Sequence, residues 1–222
     1  MSTILSNRVQ KVKPSATMAV SDKAKELKSQ GIQIVSMGSG EPDFDTPTNI
    51  QKAAIKAIGN GETRYTAADG TPELKKAICE KFKRENGLDY SLNEVMVSCG
   101  GKQVFYNLCQ AILNTGDEVI IPSPYWVSYP DMAILADATP VFIETGIDQD
   151  FKISPEQLEA SITANTKLLV LNSPSNPTGS VYSKSEIEVL GSVLEKYPHV
   201  LTISDDIYEH IRWVDDDFVN IA

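Results

Sequence analysis

Histidine and cysteine are scarce in this chain of 222 residues, with two and three respectively, and basic side chains are outnumbered. Twenty Lys plus Arg stand against 30 Asp plus Glu, giving a formal charge of −10. A nucleic-acid backbone is therefore excluded as the expected partner, because phosphate binding by counterion release needs a basic surface. No stretch reaches the roughly 18 uninterrupted apolar residues of a membrane span, so no membrane association is expected. Cys79, Cys99 and Cys109 are odd in number and form no C-x-x-C pair. That argues against a disulfide framework or a zinc knuckle and leaves three reduced, partly buried thiols. His199 and His210 lie outside recognised metal spacings, and no metal is expected. The first twenty residues carry scattered charges and lack the apolar segment of a secretory signal, so the expected address is cytoplasmic. Neither an internal repeat nor a low-complexity linker is present.

What the chain does have is enough apolar material for a core, 41% of residues against 23% charged. Thr46-Pro47 reads as a cap and first-turn proline ahead of Ile50, Ala53, Ala54, Ala57 and Ile58 at helical spacing, with Gly59 as the stop. Thr71-Pro72 repeats the device before Leu74, Ala77, Ile78 and Phe82, and Asn86-Gly87 closes that helix. Ser154 with Gln157 and Ser183 with Glu186 read as capping boxes. Between the helices lie short apolar runs at Glu94 to Ser98, Glu118 to Pro122, Pro140 to Ile143, Lys167 to Asn172 and Val200 to Ser204. Unbroken apolarity over about five residues fits strands buried on both faces, as in the parallel sheets of α/β proteins. The fold class is α/β. Residues 1 to about 45 differ in character, with one amphipathic helix from about Ser15 to Gln30 and the polar turn GSGEPDFDTP.

Parallel sheets place ligands at the carboxyl ends of their strands, so the residues just after each apolar run carry the most information. Gly100-Gly101-Lys102 comes after the first run. The pair of glycines fits either a phosphate cradle at a helix start or a tight turn needing positive φ. Trp126, after the second run, can stack on a planar heterocycle or simply fill core. NSPSNPTG after the fourth run is a turn by composition and also offers Asn176 as a donor. Asp205-Asp206, closing the last run, is costly unless something cationic faces it, which favours a ligand or metal there over a solvated turn.

GEPDFDTP, GGKQ, SPYWVSYP, NSPSNPTG and SDDIYEH, in this order and spacing, resemble the fold type I aminotransferases that use pyridoxal 5′-phosphate. Within that group the chain is similar to the subgroup Ib aspartate aminotransferases, some of which also accept prephenate. The resemblance runs from about Arg8 to the last residue. It implies a three-layer sandwich around a mainly parallel sheet, with residues 46–222 forming part of the large cofactor domain. Residues 1–45 would then be an N-terminal arm and a segment of the small domain. It also implies that Asp205 holds a proton on the pyridine nitrogen of the cofactor. Tyr208 and Asn176 would bond its phenolic oxygen, Trp126 would stack on the ring, and Gly100, Gly101 and Lys102 would receive its phosphate. Lys102 is also implied in reading the distal carboxylate of an acidic substrate, and Trp126 and Asn176 are implied in binding substrate as well as cofactor. By the same likeness Gly40 contacts the substrate carboxylate, Tyr65 crosses to the neighbouring subunit of a homodimer, and Lys13 matches a lysine linked to prephenate use. The family commonly has Asp-Glu where this chain has Asp205-Asp206, a change expected to matter little.

The lysine that forms the Schiff base in that family comes after the DxxY strand, and the arginine for the substrate α-carboxylate lies later still. The sequence ends at Ala222, before either position. Lys184 opens a capped helix and Lys102 belongs to the glycine turn, so neither is a good substitute. The expectation is an N-terminal portion of a longer aspartate aminotransferase, inactive alone. An aminotransferase of other donor specificity is one alternative, and a non-catalytic pyridoxal-phosphate sensor module is another. A nucleotide-binding α/β protein is disfavoured by the lack of a P-loop and of a dinucleotide fingerprint.

Overall fold

The computed structural model describes residues 4–222 except 15, 39 and 216. Two packing units emerge, one of residues 1–12 with 72–222 and the other of residues 13–71.

In the 13–71 unit, α2 (Ala16–Ser29) and α3 (Thr48–Gly59) are the regular elements. The expected start of α2 at Ser15 lies outside the described residues, as does Ser39 of the GSG turn. Pro47, not Thr46, occupies the cap position of α3, and no side chain caps it. No described residue of this unit is buried.

The larger unit opens with α1 (Asn7–Lys11) and contains α4 (Pro72–Lys81), α5 (Gly101–Ile112), α6 (Ser128–Leu135), α7 (Pro155–Ser161) and α8 (Lys184–Leu194). Pro72 begins α4, and Gly87, left-handed at φ 72°, ends the π-helical turn that continues it. Both expected capping boxes form, on α7 and α8. The strands are β1 (Glu118–Ser123), β2 (Thr139–Glu144), β3 (Thr166–Asn172) and β4 (Leu201–Asp205). They make a parallel sheet in the order β2-β1-β3-β4.

Alternation along the two central strands explains the layers. Val119, Ile121, Leu168 and Val170 point to one face and pack with Phe105 and Cys109 of α5 and Tyr129, Met132 and Ala133 of α6. Ile120, Leu169 and Leu171 point to the other and pack with Leu158 of α7 and Ile187, Leu190 and Val193 of α8. Helices cover both faces, so the sheet is the middle of three layers and β1 and β3 must be apolar on both sides. The edge strands β2 and β4 are only partly buried. At about 25 cal/mol per Å² of apolar surface removed from water, these two clusters are the main stabilisation of the unit.

Two expectations need correction. The run from Glu94 to Ser98 is no strand: Glu94 ends a 3-10 turn, Val95 is extended but the run pairs with no strand among the described residues, and Met96 is 68% exposed. An apolar run becomes a strand only where a ladder partner meets its amides, and none of the four strands does so here. Of the three free thiols, Cys79 is partly buried and Cys109 fully buried, and only Cys99 departs from the expectation by being exposed.

Candidate active site

The carboxyl ends of β1, β3 and β4 and the start of α5 open onto one cleft of about 300 Å³. Gly100, Gly101 and Lys102 line it together with Trp126, Asn176, Asp205 and Tyr208. These seven residues are scattered over about half the sequence, and each stands at or just beyond the end of an apolar run. Lys13, Gly40 and Tyr65 belong to the 13–71 unit, where each is exposed.

Each wall has a local cause. Gly100 sits at φ 84°, ψ 159°, a conformation essentially reserved for glycine, and turns the chain into α5. Gly101 then opens a twelve-residue helix, and a Cβ on either glycine would meet nothing within 4 Å. The backbone at this helix start is thus open to an anion, which the positive end of the helix favours. The Lys102 ammonium lies 5.2 Å from the Trp126 ring centroid, in cation–π range.

Asp205 ends β4 and is held by neutral donors. The Tyr129 hydroxyl donates to its Oδ2 at 2.6 Å and the Ile207 amide to its Oδ1 at 3.3 Å. Asn172, the last residue of β3, donates through Nδ2 to the Asp205 carbonyl at 2.8 Å and accepts the Asn176 amide at Oδ1 at 2.7 Å. One side chain therefore sets the register between the turn carrying Asn176 and the strand carrying Asp205. Tyr129 packs 5.1 Å from the Phe105 centroid and meets Trp126 edge-on at 5.2 Å. Burial pushes its hydroxyl pKa upward, and the hydrogen bond to Asp205 pushes it further, so it stays a protonated donor.

The two adjacent acids part company. Asp206 is not on the cleft; its carboxylate accepts from Ser204 Oγ at 2.5 Å and Asn220 Nδ2 at 3.3 Å. Burial raises its pKa, with Glu209 and Asp205 adding to the rise. The cation expected beside the acid pair is thus wanted by Asp205 alone, whose carboxylate donors are a phenol and an amide.

Tyr129, Asn172 and Ile207 also line the cleft, and the sequence alone did not single them out. Tyr129 lies three residues after Trp126 in SPYWVSYP, and Asn172 is the first polar residue at the end of the longest apolar run. Both signals were readable, one as a helix-turn spacing and the other as a strand end. Behind β4, Lys81 pairs with Glu209 and donates to Asn86 Oδ1 at 2.8 Å. His210 Nε2 stands 3.5 Å from both the Glu85 and Glu209 carboxylates, an arrangement its sequence spacing did not reveal. Lys184 is exposed at the start of α8, paired with Glu188 at 3.7 Å.

An aromatic face, an open helix start and a carboxylate met, among the described residues, only by neutral donors make a site suited to a flat ring that is cationic at one end and anionic at another. The chain belongs to the aminotransferase class I and II family, whose model matches residues 32–222. It is 59% identical over 217 residues to the aspartate/prephenate aminotransferase of Nitrosomonas europaea, covering 98% of this chain and 55% of that protein. It is 56% identical over 218 residues to the enzyme of the same name from Cereibacter sphaeroides, covering 98% of this chain and 54% of that protein. Among solved structures, the aspartate aminotransferase of Rhizobium meliloti superposes with a TM-score of 0.96 at 46% identity, covering 99% of this chain and 55% of that one. The Thermus thermophilus aspartate aminotransferase with maleate superposes at 0.92 and 48% identity, covering 97% and 56% respectively. The chain spans about half the length of the relatives it matches.

Proposed function

We propose that this chain is the cofactor-binding part of an aspartate aminotransferase, and that its cleft holds pyridoxal 5′-phosphate. The observation that carries the reading is the meeting of Asp205, Trp126 and the Gly100-Gly101 turn in one cleft, with the Asp205 charge left for a ligand to answer. The residues fit the cofactor at each end. The amides at the start of α5 would take its phosphate, Trp126 would lie against its ring, and Tyr208 and Asn176 would bond its phenolic oxygen. Bound there, the cofactor supplies an electron sink for the carbanion left when a substrate Cα loses its proton.

Asp205 would keep the ring nitrogen protonated, because a carboxylate beside a heteroaromatic nitrogen favours the charged form of that ring. Tyr129 and the Ile207 amide hold that carboxylate in place. Lys102 brings a charge to the same cleft and would meet either the phosphate or the distal carboxylate of an acidic substrate. Support for a dicarboxylate comes from the Thermus relative, solved with maleate, and for prephenate use from the names of the Nitrosomonas and Cereibacter relatives. The same reading makes residues 46–222 an incomplete large domain and 1–45 an arm and small-domain segment. It includes a cytoplasmic homodimer in which Tyr65 reaches the neighbouring site, Gly40 and Lys13 contacting substrate, and a cofactor-bearing lysine beyond Ala222.

Borohydride reduction of the full-length natural polypeptide with pyridoxal 5′-phosphate, followed by peptide mapping, tests it. A pyridoxyl group on a lysine beyond residue 222, with faster turnover of aspartate than of alanine or aromatic donors, is expected. A label on Lys102 or Lys184 overturns the assignment.

A further inference from the structure

We propose that Tyr129 is the positioning residue that makes this cleft select a ring with a protonated nitrogen, by holding Asp205 in one orientation while staying uncharged. The inference rests on the pyridoxal-phosphate reading of the cleft. It goes beyond that reading by assigning the selectivity to a residue that does not itself touch the ring nitrogen.

The terminal torsion of an aspartate is broad and nearly two-fold, so a carboxylate at a strand end has no fixed direction of its own. Here the Tyr129 hydroxyl holds Oδ2 at 2.6 Å and the Ile207 amide holds Oδ1 at 3.3 Å, which removes that freedom. The phenol cannot follow a drifting carboxylate. Tyr129 is 2% exposed and is wedged between Phe105 and the edge of Trp126. One buried ring therefore ties together two walls of the cleft, the aromatic face and the carboxylate.

The identity of the donor matters as much as its place. A lysine or arginine at this position would neutralise Asp205 and leave nothing for a cationic ring to bind. A phenol whose pKa is driven up by burial remains neutral, so the full charge of Asp205 stays available to the cleft. The competing explanation is that a buried hydroxyl must find some acceptor and Asp205 is merely the nearest. In that case losing the hydroxyl would weaken every ligand of the cleft to the same extent.

The test uses the full-length natural polypeptide and two ligands, pyridoxal 5′-phosphate and its analogue with the ring nitrogen replaced by C–H. Tyr129→Phe keeps the packed ring and removes only the hydroxyl. Wild type is expected to prefer the nitrogen-bearing ligand, and Tyr129→Phe to lose roughly tenfold in affinity for it, as fits the removal of a charge-assisted hydrogen bond. Affinity for the analogue is expected to stay within about twofold, the size of change left when no ionic hydrogen bond is involved. On an Asp205→Asn background the tyrosine substitution should have no further effect on either ligand. Equal losses for both ligands, or a loss on the Asp205→Asn background as large as in wild type, would overturn the positioning role and leave the cofactor reading intact. Failure of wild type to bind pyridoxal 5′-phosphate, or to prefer it over the analogue, would overturn the cofactor reading and this inference with it.

Discussion

The two sides of the cleft are built on opposite plans. On the β3–β4 side the polar groups are already engaged: Asp205 by Tyr129 and the Ile207 amide, Asn172 by the Asp205 carbonyl and the Asn176 amide. On the α5 side two glycines leave open space beside the backbone, with Lys102 resting over Trp126. A bonded wall is suited to orienting a group and a bare one to admitting it. Catalytic sites need the first where charge must be aimed and the second where backbone must come close. The contrast implies that substitutions on the bonded side disturb ligand orientation and stability together, whereas those on the bare side separate the two.

The largest effect is expected from Asp205→Ala. It removes the charge facing the cleft and strands the buried Tyr129 hydroxyl, at about 1–3 kcal/mol of folding stability for the unsatisfied donor. Equilibrium denaturation should read that loss, together with a fall in pyridoxal 5′-phosphate affinity of roughly a hundredfold, given that each 1.4 kcal/mol is tenfold. Next comes Gly100→Ala. At φ 84° and ψ 159° an alanine is strained whatever the space around it, and the expected cost is about 1–3 kcal/mol. Gly101→Ala, one residue on, should be neutral or stabilising by up to about 1 kcal/mol, because the helix welcomes alanine and the Cβ meets no neighbour. Denaturant midpoints of the two variants would sharpen the contrast; equal losses would show that the turn is not set by φ.

The bonded wall continues behind β4, where Glu209 comes directly after Tyr208. Burial pushes the Glu209 carboxyl up, but hydrogen bonds from Lys81 and Asn86 more than offset this and hold it below the ordinary value of 4.5, with His210 adding its charge when protonated. A carboxylate whose folded pKa is lowered contributes stability that is complete above its unfolded pKa and is lost as pH falls through the folded one. Lys81→Met should therefore cost about 1 kcal/mol at pH 7, the modest end for a partly exposed ion pair. The difference from wild type should shrink as pH drops below about 4.5, the unfolded carboxyl range. Thermal melts at pH 7 and at about pH 3.5 check both points, and a difference that grows on acidification would reverse the assignment.

Much of this was legible in the sequence for a definite reason. Residues buried on both faces of a central strand must all be apolar, so β1 and β3 stood out, and ligand groups cluster where such runs end. Trp126 and Asn176 are visible on that rule alone, whereas Asp205 follows a partly buried edge strand and Gly100 follows an apolar run that forms no strand. Val95–Ser98 misled because apolarity reports a tendency to be covered, while a strand also needs a partner for its amides. The helix after Thr46 shows the same limit: its spacing gave α3, yet Ile50, Ile55 and Ile58 are exposed, since periodicity does not say what a face packs against. Tyr129 was hidden for a different reason. In a helix whose middle is Met132 and Ala133 it reads as one more core residue, and its function depends on a hydroxyl meeting a carboxylate 76 positions away.

In the proposed function, Asp205 keeps a proton on a heteroaromatic nitrogen. Nitrogen-15 NMR of ring-labelled pyridoxal 5′-phosphate bound to the full-length natural polypeptide reads that proton directly. A pyridinium-type resonance is expected in wild type, moving to the neutral-pyridine position in Asp205→Asn. A neutral-pyridine resonance in wild type, or a pyridinium that survives the substitution, would overturn the role of Asp205.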